Sequence, residues 1–242
     1  MNPNLHIYET PEDTARAVAD LILVKAKEKN KKSLPFNIAL SGGNTPKLLF
    51  KLLASEYVDS IPWHFMRLFW VDERCVPPTH AESNYGMTYK NLLKTVPIHD
   101  ANVFPIQGEI DPQKETARYQ NVLISQLPSR NGVPKFDLIL LGMGDDGHTA
   151  SIFPNQLNLL HSEQFVAVSM HPVSGQKRIT LTGQTINQAD DVVFLITGSS
   201  KAELLNQIIH RKPKFENYPA SYIHAHAVPA QFYLDKASAE KL

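Results

Sequence analysis

A short apolar run that halts at a polar, glycine-bearing cluster and then gives way to helical spacing recurs along this chain. Phe36-Asn37-Ile38-Ala39-Leu40 stops at Ser41-Gly42-Gly43-Asn44-Thr45-Pro46, and Leu48, Leu49, Leu52 and Leu53 then mark a helix face. Residues 67–71 run into Asp72-Glu73-Arg74, and residues 136–141 into Gly142-Met143-Gly144-Asp145-Asp146-Gly147-His148. Residues 192–197 lead to Gly198-Ser199-Ser200-Lys201, followed by Leu204, Leu205, Ile208 and Ile209 at helical spacing. Such runs read as strands buried on both faces. Their alternation with helices predicts an α/β fold, a mainly parallel sheet covered on both sides. Ligands of such sheets bind at the carboxyl ends of the strands. The first three polar clusters should therefore converge on one crevice.

The remaining segments complete that pattern. Thr10-Pro11-Glu12-Asp13 reads as a capped helix start, with Ala15, Val18, Ala19, Ile22 and Ala26 on one face. The basic run over residues 25–32 reads as a solvated helix end. Residues 83–93 are expected to be helical, and Asp111-Pro112 opens a helix with Tyr119, Val122, Leu123 and Leu127 inward. Residues 165–169, 178–182 and 230–234 read as strands, with a short C-terminal helix after the last. No repeat, low-complexity tract or long linker divides residues 1–242, which are expected to form a single domain.

Charge narrows the function classes. Twenty-four basic residues balance twenty-four acidic ones, so nothing draws the whole chain to nucleic acid or an anionic membrane. Anion binding must be local. Cys75 stands alone, which excludes an intrachain disulfide and fits a reducing cytoplasm. Met1-Asn2-Pro3-Asn4-Leu5-His6 lacks the basic and apolar regions of a signal peptide. No apolar run approaches the roughly 20 residues that span a bilayer.

Each polar cluster carries a chemical reading beside a plainer one. In Ser41-Gly42-Gly43-Asn44-Thr45-Pro46, glycines let backbone N–H groups approach a phosphate or carboxylate at a helix start. Thr45 can cap that helix, so a capped tight turn accounts for the same residues. The spacing fits neither a Walker loop nor a dinucleotide fingerprint. Arg74 can pair with a phosphate, or join an ion-pair network with Asp72 and Glu73. His148 can take a proton near neutral pH with Asp146 orienting it, or merely cap a turn. Lys201 can add a phosphate charge or sit on the surface, and Arg178 can face crevice or solvent. His224 and His226 lack the further ligands of a metal site.

Taken in order, these clusters resemble the 6-phosphogluconolactonase family. The matching residues are Ser41-Gly42-Gly43-Asn44-Thr45-Pro46, Trp70-Val71-Asp72-Glu73-Arg74, Ser83-Asn84-Tyr85, the stretch from Gly142 through His148 and on to Thr149-Ala150-Ser151-Ile152-Phe153-Pro154, Arg178-Ile179-Thr180-Leu181-Thr182, and Gly198-Ser199-Ser200-Lys201. His171-Pro172-Val173-Ser174-Gly175-Gln176-Lys177 departs from the proline-rich approach to the Arg178 strand that the family often has. The resemblance implies a three-layer α/β/α fold shared with glucosamine-6-phosphate deaminase, ribose-5-phosphate isomerase and CoA transferases. It also implies hydrolysis of 6-phospho-D-glucono-1,5-lactone in the oxidative pentose phosphate pathway, by a monomer with no metal or organic cofactor.

On that resemblance, His148 is expected to be the general base and Asp146 its partner. Ser41, Gly42, Gly43, Asn44, Thr45, Arg74, Arg178 and Lys201 are expected to bind substrate, chiefly its phosphate. Asp145 reads as a solvated turn residue. Two rivals remain. A glucosamine-6-phosphate deaminase would carry Asn-Glu-Pro where this chain has Thr149 to Pro154, and tyrosine at the position of Arg74. A non-catalytic sugar-phosphate sensor would usually accompany a DNA-binding module.

Overall fold

The computed structural model describes residues 4–242; residues 1–3, part of the start read as leaderless, lie outside them. In chain order the elements are β1 (Asn4–Tyr8), α1 (Pro11–Lys31), β2 (Phe36–Leu40), α2 (Asn44–Glu56), β3 (Met66–Trp70) and β4 (Asp72–Arg74). Next come α3 (Asn84–Thr88), β5 (Val103–Phe104), α4 (Pro112–Gln126), β6 (Ser129–Arg130), β7 (Val133–Pro134) and β8 (Leu138–Leu141). The chain closes with β9 (Val166–Met170), β10 (Lys177–Leu181), α5 (Gly183–Ile186), β11 (Asp191–Ile196), α6 (Ala202–Ile209) and β12 (Gln231–Asp235).

Seven strands form one sheet in the order β1-β12-β11-β8-β2-β3-β5, and every pairing is parallel. β2 and β8 are buried along their whole length, as continuously apolar runs between two helical layers must be. Phe69 of β3 stacks on Phe104 of β5 and Phe194 of β11 on Phe232 of β12, so aromatic pairs tie neighbouring strands together, and Phe136, just before β8, meets Phe69 edge-on. From β2 the chain moves to β3 on one side; from β8 it moves to β11 on the other. Their shared border is therefore the topological switch point, where a crevice opens beyond the strand ends.

Beside this sheet, β4, β10 and β9 form a three-stranded antiparallel sheet that starts where β3 ends. The strand read over residues 67–71 ends at Trp70, and the polar cluster Asp72-Glu73-Arg74 beyond it is itself a strand of this second sheet. Val71 is the hinge: its N–H donates to the Leu40 carbonyl and its own carbonyl accepts from Leu181. A β6–β7 hairpin and the edge strand β1 also lie outside what periodicity indicated. β1 is half exposed, so its apolar signal is diluted.

Two helix starts follow the sequence reading. Thr10 accepts from the Asp13 N–H at 3.1 Å and Asp111 from the Lys114 N–H at 3.2 Å. Others differ. Gly43, at φ 111°, is the residue before α2, and Thr45 lies inside the first turn with its hydroxyl 3.0 Å from that of Thr197. The backbone needs a left-handed residue there, so glycine holds the cap position and Thr45 does not. Ser199-Ser200 reads in the sequence as a cap for the helix that follows, but these residues form a tight 3₁₀ turn entered through Gly198 at φ 94°, and α6 starts without a side-chain cap. Ser83 does cap α3, but residues 89–93 continue as a π turn. Beyond β12 the chain forms turns instead of a helix, because Ser238 is tied to Asp235 and the Ile196 carbonyl. No helix among the described residues is long and apolar enough to cross a membrane.

The Tyr119 hydroxyl accepts from the Trp70 N–H at 2.9 Å and donates to the Trp70 carbonyl at 3.0 Å. β5 covers only Leu68 and Phe69, so Tyr119 completes the ladder one residue further along a buried strand. Tyr119→Phe leaves both groups unpaired and should cost roughly 2–4 kcal/mol. Urea unfolding followed by tryptophan fluorescence checks this.

Candidate active site

The loop after β8 is wound tightly by its own backbone. The Gly144 N–H donates to the His148 carbonyl at 2.9 Å, and the Gly147 N–H to the Gly144 carbonyl at 3.1 Å. This curl brings Asp146 and His148 side by side. The His148 Nδ1 lies 2.5 Å from Asp146 Oδ1, and the His148 N–H donates to the same oxygen at 3.1 Å. Desolvation pushes the Asp146 carboxyl up, but the bonds from the His148 ring and backbone outweigh it and hold the group below the ordinary carboxylate value. An ionised carboxylate only accepts hydrogen bonds. Nδ1 therefore carries the proton, and Nε2 keeps the free lone pair that a general base needs.

Gly144 is small for a reason. A Cβ there would sit 2.1 Å from His148 Nδ1 and 2.8 Å from Asp146 Oδ1. From beneath, the Phe153 ring packs 4.7 Å from the His148 ring, and the Arg178 guanidinium lies over Phe153 at 5.6 Å. Between them, Ala150 is held at φ 50°, a left-handed conformation disfavoured for alanine. Its neighbours enforce it: Thr149 donates to the Gly142 carbonyl at 2.9 Å, and Ser151 donates to Asp72 at 2.6 Å.

His148 opens onto a cavity of about 440 Å³ at the switch point. Ser41, Gly42, Gly43, Asn44 and Thr45 form one wall, and Arg74, Arg178 and Lys201 also line it. All the expected binding residues thus meet in one crevice, with Asp146 directly behind His148. The question of Arg178 is resolved toward the crevice. The first N–H groups of α2 have no partners within the helix, and Gly43 supplies no side-chain cap. They remain as donors for an anion. Gly42 packs so closely on Asn84 that a Cβ would overlap its Oδ1 at 1.8 Å.

Arg74 and Arg178 are register partners on β4 and β10. Like charges placed directly opposite destabilise a strand pair. Neither guanidinium forms an ion pair with a carboxylate among the described residues, and the Nε of each is buried without a partner. Burial and the charge of Arg74 pull the Arg178 guanidinium below its ordinary value. An anion held by both would offset that repulsion. Asp145 is not merely solvated: it forms an ion pair with Lys201.

Three residues had no assigned role in the sequence. Asp72 is 5 % exposed, lines the cavity, and accepts from Ser151 and from Asn84. Asn84 lines it too, its amide donating to the Asp72 carbonyl at 2.9 Å. Glu73 lies behind them, accepting from Ser83, Asn84, Tyr85 and its neighbour Arg74. Burial raises its pKa to about 6 despite these donors. The only signal was position, after a strand and in the Ser83-Asn84-Tyr85 motif.

The glucosamine-6-phosphate isomerase/6-phosphogluconolactonase family matches residues 9–232. The chain belongs to that family. It is 44% identical over 209 residues to a 6-phosphogluconolactonase of Haemophilus influenzae, covering 86% of this chain and 88% of the relative. With that of Treponema pallidum it is 41% identical over 203 residues, 84% of this chain and 83% of the relative. The solved 6-phosphogluconolactonase of Trypanosoma brucei superposes with a TM-score of 0.85 at 30% identity, covering 99% of this chain and 98% of that one.

Within this family member, Gly144→Ala should drive a methyl group into the His148–Asp146 pair. Turnover should fall at least about 10²-fold, the lower range of general-base assistance, with the thermal unfolding midpoint little changed. Steady-state kinetics beside a melting curve checks this.

Proposed function

We propose that this protein hydrolyses 6-phospho-D-glucono-1,5-lactone to 6-phospho-D-gluconate, the second step of the oxidative pentose phosphate pathway. The observation that carries the reading is the His148–Asp146 pair beside a cavity lined by His148, the uncapped start of α2 and three cations, Arg74, Arg178 and Lys201. Membership of the family, and relatives named as this enzyme over most of their length, support the substrate.

In this mechanism His148 Nε2 takes a proton from water while the oxygen attacks the lactone carbonyl. The tetrahedral oxyanion collapses and the bond from C1 to the ring oxygen breaks. The imidazolium returns its proton to that leaving oxygen, and the new carboxylic acid releases its own proton to solvent. Asp146 keeps Nδ1 protonated and stabilises the imidazolium. The 6-phosphate is remote from the reacting carbon, so its binding serves to position the ring. Ser41, Gly42, Gly43, Asn44 and Thr45 cradle it through backbone donors, with Arg74, Arg178 and Lys201 as charges. One chain supplies every group, which suits a monomer formed from a single domain. The balanced charge and lone, half-buried Cys75 suit a cytoplasmic enzyme that does not bind nucleic acid.

The segment Thr149 to Pro154 favours this reading over deamination: it supplies Ser151 to Asp72 and Phe153 to His148, and no further acid. His148→Ala should lower kcat by about 10²- to 10⁴-fold in a lactonase assay corrected for spontaneous ring opening. Near-wild-type turnover would remove His148 from the role. A lactone lacking the phosphate should be a far poorer substrate; equal efficiency would remove the phosphate site.

The acid limb of kcat, which reports the enzyme–substrate complex and not the free phosphate ester, should show a single ionisation. Asp146 has its folded pKa depressed, so its charged form persists as pH falls through the range in which an imidazole base is lost. A slope of one is expected above about pH 5, where a normal carboxylate is already ionised. A slope of two there would mean that Asp146 titrates with its partner.

A further inference from the structure

The Asp145–Lys201 ion pair is unlike the other contacts of the catalytic loop. The loop is otherwise held by its own backbone, by the Asp146 and Thr149 side chains, and by the Ala220 N–H, which donates to the Gly147 carbonyl at 3.1 Å. Among the described residues, no other hydrogen bond or ion pair joins residues 142–148 to the turn that carries Lys201. The two partners are in different settings. The Asp145 side chain is 80% exposed, whereas that of Lys201 is 18% exposed and lines the cavity. The lysine side is anchored: the Gly198 N–H donates to both oxygens of the buried Asp235 carboxylate, at 3.0 and 3.2 Å. Asp145 can leave into water with little loss of hydration, and Lys201 cannot leave the cavity so easily.

We propose that Asp145 is a resident counter-ion for Lys201, occupying its ammonium until the substrate phosphate displaces it. The inference rests on the reading of Lys201 as a phosphate ligand and assigns Asp145 a role in selecting the anion. A bound phosphate carries nearly two negative charges and three acceptor oxygens, and the helix start and Arg74–Arg178 pair hold it as well. A single exposed carboxylate is outcompeted by such a group. A weakly held monoanion has no comparable advantage, so the pair sets a threshold against anions that lack the full phosphate charge. Once displaced, Asp145 also no longer ties the catalytic loop to the Lys201 turn.

Removing a structural support weakens binding; removing a competitor strengthens it. The sign of the effect therefore tests the proposal. The probe is inorganic phosphate, measured by calorimetry on the whole protein and as a competitive inhibitor of lactone hydrolysis. Asp145→Asn should tighten phosphate binding by about two- to fivefold at low salt, the range set by an exposed ion pair. The gain should shrink as added salt screens the pair. Asp145→Glu should stay near wild type. Lys201→Ala should weaken phosphate binding, and in that background Asp145→Asn should have no further effect.

If Lys201→Ala leaves phosphate binding unchanged, the phosphate assignment of Lys201 fails. If it weakens binding but Asp145→Asn does not tighten it, the assignment stands and the counter-ion proposal is overturned. Weaker binding in Asp145→Asn would make Asp145 a support for Lys201. Equal tightening with and without Lys201 would make its effect a general field. Either result also overturns the proposal.

Discussion

A parallel strand buried on both faces can carry no ionised side chain along its length. This constraint shapes the whole molecule. β2 and β8 are walled by helices on either side, so every charged group near them must lie beyond a strand end. At the switch point between these two strands the connections diverge and leave an opening. The glycine loop, the Asp72–Arg74 segment, the Asp146–His148 loop and the Lys201 turn are four strand endings gathered around that opening. At the carboxyl ends of the strands this opening lets backbone donors and charges face water and ligand, whereas the charges at the amino ends, Asp137 and Asp191, are paired with Lys29 and Lys25.

Precise placement there comes from buried carboxylates that bind neutral or backbone donors. Asp72 holds Ser151 and Asn84; Glu73 holds the start of α3. Burying these groups is costly unless their oxygens are fully engaged, and the engagement joins segments distant in sequence. Through Ser151 the strained turn at Ala150 is held, and with it Phe153 under His148. Ser151 and Phe153, two of the residues that separate this chain from a deaminase pattern, thus support His148 from outside the cavity lining.

Much of the site was legible because its chemistry is local. His148 and Asp146 are two residues apart, and a curl of the backbone is enough to pair them. Glycine at 42 and 43 signalled a close approach of backbone to ligand, although the helix cap belongs to Gly43 and not Thr45. Other features depend on pairings that no short window contains. Arg178 faces the crevice because β10 pairs with β4 across about a hundred residues, setting it opposite Arg74. Asp145 is the solvated turn residue that its sequence suggests, but its pairing with Lys201 is not legible there because that partner lies in another strand ending. The edge strand β1 is not legible in the sequence because it is partly exposed and its apolar period is weak.

The alternation of buried strands and helices, the polar clusters at the strand ends, and the closeness of His148 to Asp146 within one loop follow from local spacing, glycine geometry and hydrophobic period. Which strand endings share a crevice, the turn of Arg178 toward it, the place of Asp72 and Asn84 in its wall and the carboxylate partner of Lys201 follow from the fold alone. These depend on strand order and on the small antiparallel sheet. The free energy that selects them comes from burying β2 and β8 and satisfying the polar groups at their ends, which are properties of the assembled fold.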